Sequence, residues 1–435
     1  MNAQRVVVTG LGAVTGLGLG WRTLWDGLCA GRSAVRPWSP PGLDGFPVRF
    51  AAPVAWEAFA DAHRGSSWWE TPMERRSRFG MAALDEAVAD AGEVLRSHAP
   101  SRIGIAIGSG VPERDPADML LAVGEKGPCW SNLYRRAAEL NPDSGLINSN
   151  DHLAVLAARH LQVQGPVVHF STACAGAAHA IGHGFRMIRR GEVDAMIVGG
   201  ADSVLNLSTM VGLHLLGAPS VSDQFGEALS RPFDRDRSGF VAAEGAALLV
   251  LESESTARRR GARVYAEIAG FGSALDAYRI TAPHPQGDGA ALAMQRALRD
   301  ASMSPSAIDH VNAHGTSTPL NDPAETLAIK RVFAANGHYR RLAVSSNKSM
   351  IGHLIAAAGA PECIATVLAV AQGRVPPTLN LTNPDAQCDL DYVPGNVARA
   401  QTVRAAISNS FGFGGLNATI AVRAHPLAEG VSHAS

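Results

Sequence analysis

Short runs of apolar, often β-branched residues, each closed by glycine or a polar turn, punctuate the whole chain. RVVVTG (5–10), RIGIAIG (102–108), PVVHFS (166–171), DAMIVGG (194–200) and AALLVLE (246–252) fall in the first part. RVYAEIAGFG (263–272), IDHVNAHG (308–315), RLAVSS (341–346), VRAAISNS (403–410) and NATIAVR (417–423) fall in the second. Their length and their Val and Ile content predict buried strands. Between them lie alanine-rich stretches with helical spacing, such as MAALDEAVADAG (81–92) and DGAALAMQRALRDA (288–301). Strands alternating with such helices predict an α/β fold with parallel pairing in its sheets.

The two parts begin alike. RVVVTGLG (5–12) and RVYAEIAGFG (263–272) each run a strand into a pair of glycines, which predicts an internal duplication with a seam near residues 255–262. The expected units are 1–258 and 259–435. Residues 37–70, rich in Pro, Gly and Trp, and residues 110–150, with little clear periodicity, read as insertions on the first unit. GLGAVTGLG (10–18) is spaced one residue too long for a dinucleotide fingerprint and reads as a plain turn. A phosphate loop, an HExxH helix and a GxSxG elbow are all missing from the sequence.

Composition narrows the class. The chain has 435 residues, 46% of them hydrophobic and 18% charged, which fits a compact globular α/β protein. A formal net charge of −1 argues against a nucleic-acid partner. The cysteines (Cys29, Cys129, Cys174, Cys363 and Cys388) are odd in number and form no CxxC pair, so neither a disulfide framework nor a zinc site is expected. A strand-like run begins within five residues of the start, so no signal peptide is expected. The longest apolar stretch, around 354–371, is interrupted by Pro361 and Glu362. A soluble, cytoplasmic protein with no membrane partner is the expectation.

The candidate chemistry centres on FSTACAGAAHAIG (170–182). Cys174 follows a strand and precedes a good helix, so it is expected at a helix N-terminus, where amides and the helix dipole favour thiolate. Ala173, Ala175 and Gly176 keep its approach open. Alone, such a cysteine is more often inert core. His314, in VNAHGTSTPLND, and His353, in SSNKSMIGHLIAAAGA, each stand where a strand gives way to a turn. That is where α/β folds collect their sites. His353 is expected at the start of an alanine-rich helix, five residues after Lys348. SNSFGFGGLNATI (408–420) reads as a tight hairpin or as a loop bringing amides to a ligand.

Together, TACAGAAHAIG, VNAHGTSTP, NKSMIGH and NSFGFGG resemble the β-ketoacyl-[acyl-carrier-protein] synthases, specifically the elongating Cys-His-His class that serves fatty acid and type II polyketide systems. The resemblance runs over almost the whole chain. It implies the thiolase fold, a duplicated five-layered αβαβα arrangement, assembled as a homodimer or as a heterodimer with a ketosynthase-like partner. It implies Cys174 as the acyl-bearing nucleophile, His314 and His353 as stabilisers of the enolate, and Lys348 as their support. Phe413 corresponds to the gate residue whose amide joins that of Cys174 in the oxyanion hole. Thr316 and Thr318 correspond to residues that hold the pantetheine arm. Arg75, Arg76 and Arg78, in MERRSR, correspond to a carrier-docking helix. The implied reaction is decarboxylative condensation of a Cys-bound acyl group with malonyl carrier protein. The carrier protein is thus the partner, its phosphopantetheine the only prosthetic group, with no metal or other cofactor.

Some positions depart from that pattern. Asn347 and Ile351 flank Lys348 where relatives usually carry threonine, and Arg279 and Leu416 are substitutions near the gate. Cys129 and Trp130 stand where many relatives have a basic pair. These variants resemble specialised-pathway enzymes more than housekeeping fatty acid elongation. A non-catalytic partner subunit is the reading of another class, and the retained Cys174 argues against it.

Overall fold

The computed structural model describes residues 4–39, 45–110, 112, 116–125 and 127–428; parts of both expected insertions lie outside these residues. The ten predicted strands form where expected. The first repeat is β1 (Val6–Thr15), α1 (Arg75–Ala91), β2 (Ile103–Gly108), α2 (His152–Leu161), β3 (Val167–Phe170), α3 (Gly176–Arg189), β4 (Ala195–Ser203) and β5 (Ala242–Ser253). The second is β6 (Ala266–Leu275), α4 (Asp288–Asp300), β7 (His310–Asn312), α5 (Asn321–Val332), β8 (Ala343–Ser345), α6 (Gly359–Gln372), β9 (Ala405–Gly412) and β10 (Leu416–Arg423).

The hydrogen-bonded strand order is β8-β7-β9-β10-β6-β1-β5-β4-β2-β3. Outward from the β1–β6 junction, each repeat therefore runs first, fifth, fourth, second, third. Both repeats also carry an irregularity at the same point: β1 shifts register between Val8 and Gly10, and β6 between Ile268 and Gly270. Among these ten strands, pairing is parallel only toward the two outer edges, in β4–β2–β3 and β9–β7–β8. The six strands nearest the junction pair antiparallel, which corrects the expectation of parallel sheets.

Five layers result. Helices α1 and α2 cover one face of the first half-sheet, and α4 covers one face of the second. Helices α3 and α6 pack against each other and against the inner faces of both. The stretch GLGAVT belongs to β1 and is not a turn. Its glycines serve close helix packing: a Cβ on Gly12 would lie 2.0 Å from the Ala83 carbonyl oxygen of α1, and one on Gly272 would lie 2.1 Å from that of Ala293 in α4. Ile355–Gln372 is long and apolar enough for a membrane span, yet 83% of it is buried here as the central core helix. Residues 50–70 are packed rather than irregular. Phe50–Ala52 runs beside β5, and the helix Trp56–His63 sets Phe59 against Phe79 of α1, with ring centroids 5.0 Å apart.

Candidate active site

The chain leaves β3 into a tight turn, Ala173–Ala175, that delivers Cys174 just ahead of α3. Ala173 is held at φ 45°, a left-handed conformation that costs a non-glycine residue about 1 kcal/mol. The second repeat makes the corresponding turn at Ile355–Ala357, where Ile355 has φ 47°. The repeated turn thus carries the thiol in one copy and alanine in the other. Cys174 is 6% exposed. Burial pushes its thiol up to about 11, against the Lys348 ammonium and hydrogen bonds from the Phe413 and Cys174 amides. Desolvation outweighs the helix terminus, so the resting group is a thiol and not the thiolate that sequence position suggests.

His314 follows β7, and Glu325 of α5 fixes that turn by accepting the His314 and Gly315 amides at 2.9 and 2.8 Å. His353 lies in the turn after Lys348–Ile351, six residues before α6 begins, and so does not start that helix. Its backbone is pinned to the start of β5, donating to the Val241 carbonyl at 2.8 Å and accepting from Ala243 at 3.0 Å. The Cys174 sulfur and one nitrogen of each imidazole lie within 4.8 Å of one another. The rings meet edge to face, with centroids 5.3 Å apart. Such a trio could bracket a soft metal ion, but the Lys348 ammonium beside it opposes a further cation.

Lys348 is 1% exposed and paired with the equally buried Glu362. Its Nζ donates to the His314 carbonyl at 2.7 Å and lies 3.3 Å from His314 Nδ1. An ammonium has only protons to offer, so Nδ1 accepts and Nε2 carries the imidazole proton. Burial lowers both histidines well below the ordinary value, with Lys348 adding to the effect. Both are therefore neutral near pH 7. Both His353 nitrogens are buried with no protein partner among the described residues, although Phe240 supports the ring edge-on at 5.2 Å.

Phe413 heads the hairpin Phe413–Gly415 that joins β9 to β10. This hairpin is clasped to the loop after β6: the Gly414 amide donates to the Ile280 carbonyl at 2.6 Å, and Asn417 donates to Asp276 at 2.8 Å. Cys174, His314, His353, Phe413, Thr316 and Thr318 all line one cleft of about 410 Å³. The two threonine hydroxyls lie 2.9 Å apart.

Profiles described as Beta-ketoacyl synthase, N-terminal domain, and Beta-ketoacyl synthase, C-terminal domain, match residues 3–257 and 265–382. The chain belongs to the β-ketoacyl synthase family. It is a condensing acyltransferase with the thiolase fold. The 3-oxoacyl-[acyl-carrier-protein] synthase 2 of Synechocystis sp. is 40% identical to this ketosynthase over 431 residues, covering 97% of this chain and 99% of that one. The Coxiella burnetii protein of the same name is 41% identical over 426 residues, covering 97% and 98%. A β-ketoacyl synthase structure from Burkholderia phymatum is 34% identical with a TM-score of 0.85, covering 97% of this chain and all of that one. A type II polyketide ketosynthase, in complex with its acyl-carrier protein and bound to a hexaketide, is 32% identical with a TM-score of 0.86 over the same shares.

The structure does not bring every candidate residue of the ketosynthase to a usable place. Arg76 is 2% exposed and spends its guanidinium on Glu74 and on Ser109 Oγ at 3.2 Å. Arg75 pairs with the buried Glu244 at 2.6 Å, and Arg78 donates to the Trp69 carbonyl at 2.7 Å. Arg76 is thus too buried to meet a partner, whereas Arg75 and Arg78 are partly exposed and each also holds a contact within the chain. Their helix is set against the sheet, and charge alone does not tell an exposed face from an internal one. Glu325, Glu362 and the Asp276–Asn417 clasp were missed. Glu362 had a signal, as a carboxylate inside an otherwise apolar helix, but it was read only as a breaker.

Proposed function

We propose that the enzyme transfers an acyl group from an acyl carrier protein to Cys174, then condenses it with malonyl carrier protein to give a β-ketoacyl carrier protein. The observation that carries this reading is the thiol and two neutral imidazoles within 4.8 Å at the floor of one cleft, one imidazole without protein partners. In the first step the thiol proton passes to His353 as sulfur attacks the thioester carbonyl. The oxyanion sits on the Cys174 and Phe413 amides, a pair of donors each worth roughly 3–4 kcal/mol in such sites. Collapse breaks the old C–S bond, and the departing pantetheine thiolate recovers the proton.

In the second step the malonyl thioester oxygen accepts hydrogen bonds from His314 Nε2–H and from His353. The bond to the carboxylate breaks, carbon dioxide leaves, and its electron pair forms the enolate. That carbon attacks the acyl-Cys174 carbonyl, the same amides hold the new oxyanion, and collapse releases Cys174, which regains one proton from solvent. Thr316 and Thr318 hold the pantetheine arm, and the enzyme needs no cofactor of its own.

The assembly belongs to the same proposal. Strand β3 ends the sheet with an open edge, flanked by exposed Val155 and Val167, which suits pairing with a second copy in a cytoplasmic homodimer. Asn347 and Ile351, both fully buried beside Lys348, and Arg279 and Leu416 by the gate favour a specialised pathway over housekeeping elongation. His353 acts in both steps, and the two imidazoles act together only on the malonyl step. His353→Ala is therefore expected to take up acyl groups at Cys174 more slowly and to release carbon dioxide from malonyl carrier protein about 100-fold more slowly. An unchanged release rate contradicts the assignment.

A further inference from the structure

Away from the cleft, four arginines converge on an open groove of about 570 Å³ between the two repeats. Arg186 and Arg189 lie one turn apart on α3, and Arg296 and Arg299 lie one turn apart on α4. Phe271 and Ser273 of β6 line the groove between the helices. The Arg186 guanidinium lies 4.9 Å from the centre of the Phe271 ring, and Arg296 donates to the Ser273 carbonyl at 2.6 Å. Each contact holds a guanidinium at the groove while leaving most of its N–H groups unused.

One carboxylate, Asp300, lines the groove, and it is already engaged. It pairs with Arg189 at 2.7 Å and accepts the Phe271 amide at 3.0 Å. The other acids on these elements are held elsewhere: Glu192, just after α3, by Arg190 at 2.7 Å, Glu267 of β6 by Arg5 and Arg423, and Asp288 of α4 by Arg331. Arg186, Arg296 and Arg299 are exposed and have no carboxylate partner among the described residues. In a chain of net charge −1, the groove is thus a local concentration of positive charge. Guanidinium groups gathered this way repel one another, and a bound anion relieves that repulsion.

We infer that this groove is a binding site for a multiply charged phosphate, with a diphosphate group as the ligand chemistry. A planar guanidinium pairs with phosphate oxygens two bonds at a time, so forks arriving from two helices suit a ligand with several charged oxygens. A lone carboxylate would leave most of those donors unpaired. The ring in the groove, Phe271, is taken up by Arg186 and meets His179 edge-on at 5.9 Å. Recognition therefore rests on the phosphates and not on stacking of a base. The groove shares no lining residue with the cleft around Cys174, and the inference does not depend on the proposed condensation.

Isothermal titration of the purified enzyme with inorganic pyrophosphate tests it. Binding is expected with a Kd below about 1 mM in about 50 mM NaCl, weakening at least about fivefold in about 500 mM NaCl as salt screens the charges. The double variant Arg186→Gln, Arg299→Gln is expected to keep the parent melting temperature and to bind at least about tenfold more weakly. Arg299→Glu, at a side chain with no hydrogen bond or ion pair among the described residues, should weaken binding as much by itself. Arg340→Gln, an exposed arginine outside the groove, is the control and should change the Kd less than about twofold. ADP should bind within about threefold of pyrophosphate, since its base gains no contact. Absence of binding, or a Kd unchanged by both groove variants, overturns the site. ADP binding more than about tenfold tighter than pyrophosphate overturns the assignment to the diphosphate group.

Discussion

At the scale of single residues the site is a set of neutral groups held ready. Cys174 is a protonated thiol because burial outweighs its neighbours, and His314 and His353 are neutral because burial and Lys348 disfavour a second positive charge. A neutral pair can take the thiol proton and later donate N–H to a developing enolate without first losing a proton of its own. The raised thiol has a direct consequence. With its pKa near 11, the thiolate fraction of free enzyme grows about tenfold per pH unit from pH 7 to 9, so iodoacetamide labelling of Cys174 should climb with that slope. A plateau below about pH 8 would instead mean a thiolate stabilised as the helix-terminus argument first suggests.

At the scale of elements the sequence was legible where a structure repeats a simple pattern. All ten strands lie where short apolar runs end in turns, because a buried strand needs such a run and little else. Strand order and direction were not legible, since periodicity records which residues are buried and not which strand lies beside which. Gly10 and Gly12 misled for a physical reason: glycine usually marks a turn, but here it lets α1 lie against β1. Gly12→Ala and Gly272→Ala are each expected to destabilise the fold by about 3 kcal/mol, because the added carbon would meet backbone rather than a movable side chain. Gly212, on an exposed helix with nothing within 4 Å, is the control, and alanine there should stabilise by about 0.5–1 kcal/mol. Thermal unfolding of the three variants checks both signs; equal melting temperatures would refute the packing argument. In the candidate site, motif residues were legible from their glycine and hydroxyl surroundings. Glu325 was not, because a carboxylate that steadies a turn from a neighbouring helix leaves no local pattern.

At the scale of the whole molecule, charge as well as apolar packing ties the first repeat to the segment that leads into the second. Glu252, fully buried at the end of β5, accepts Thr9 from the irregularity in β1 at 2.6 Å, together with Arg260 and His98. Burial alone would raise its carboxyl, but hydrogen bonds from Arg260, His98 and Thr9 win and lower it to about 2. A carboxylate depressed in the folded state stabilises above its unfolded value near 4.5 and loses that contribution as pH falls toward 2, on the order of 3 kcal/mol. Glu252→Gln should therefore lose less stability than the parent between about pH 5 and pH 3 in urea unfolding. Parallel losses in the two proteins would show that this carboxylate is not the acid-sensitive tie.

The central claim is that Cys174 carries the growing acyl chain, and intact-protein mass spectrometry tests it most directly. The purified enzyme is mixed with acyl carrier protein, then with malonyl carrier protein, beside a Cys174→Ala variant that the surrounding alanines should accommodate. The account predicts one acyl mass added at Cys174, its loss on adding malonyl carrier protein, and a carrier-bound product two carbons longer, with no adduct on the folded variant. An adduct on Cys174→Ala at the parent rate, or extension without any acyl-enzyme, would contradict it.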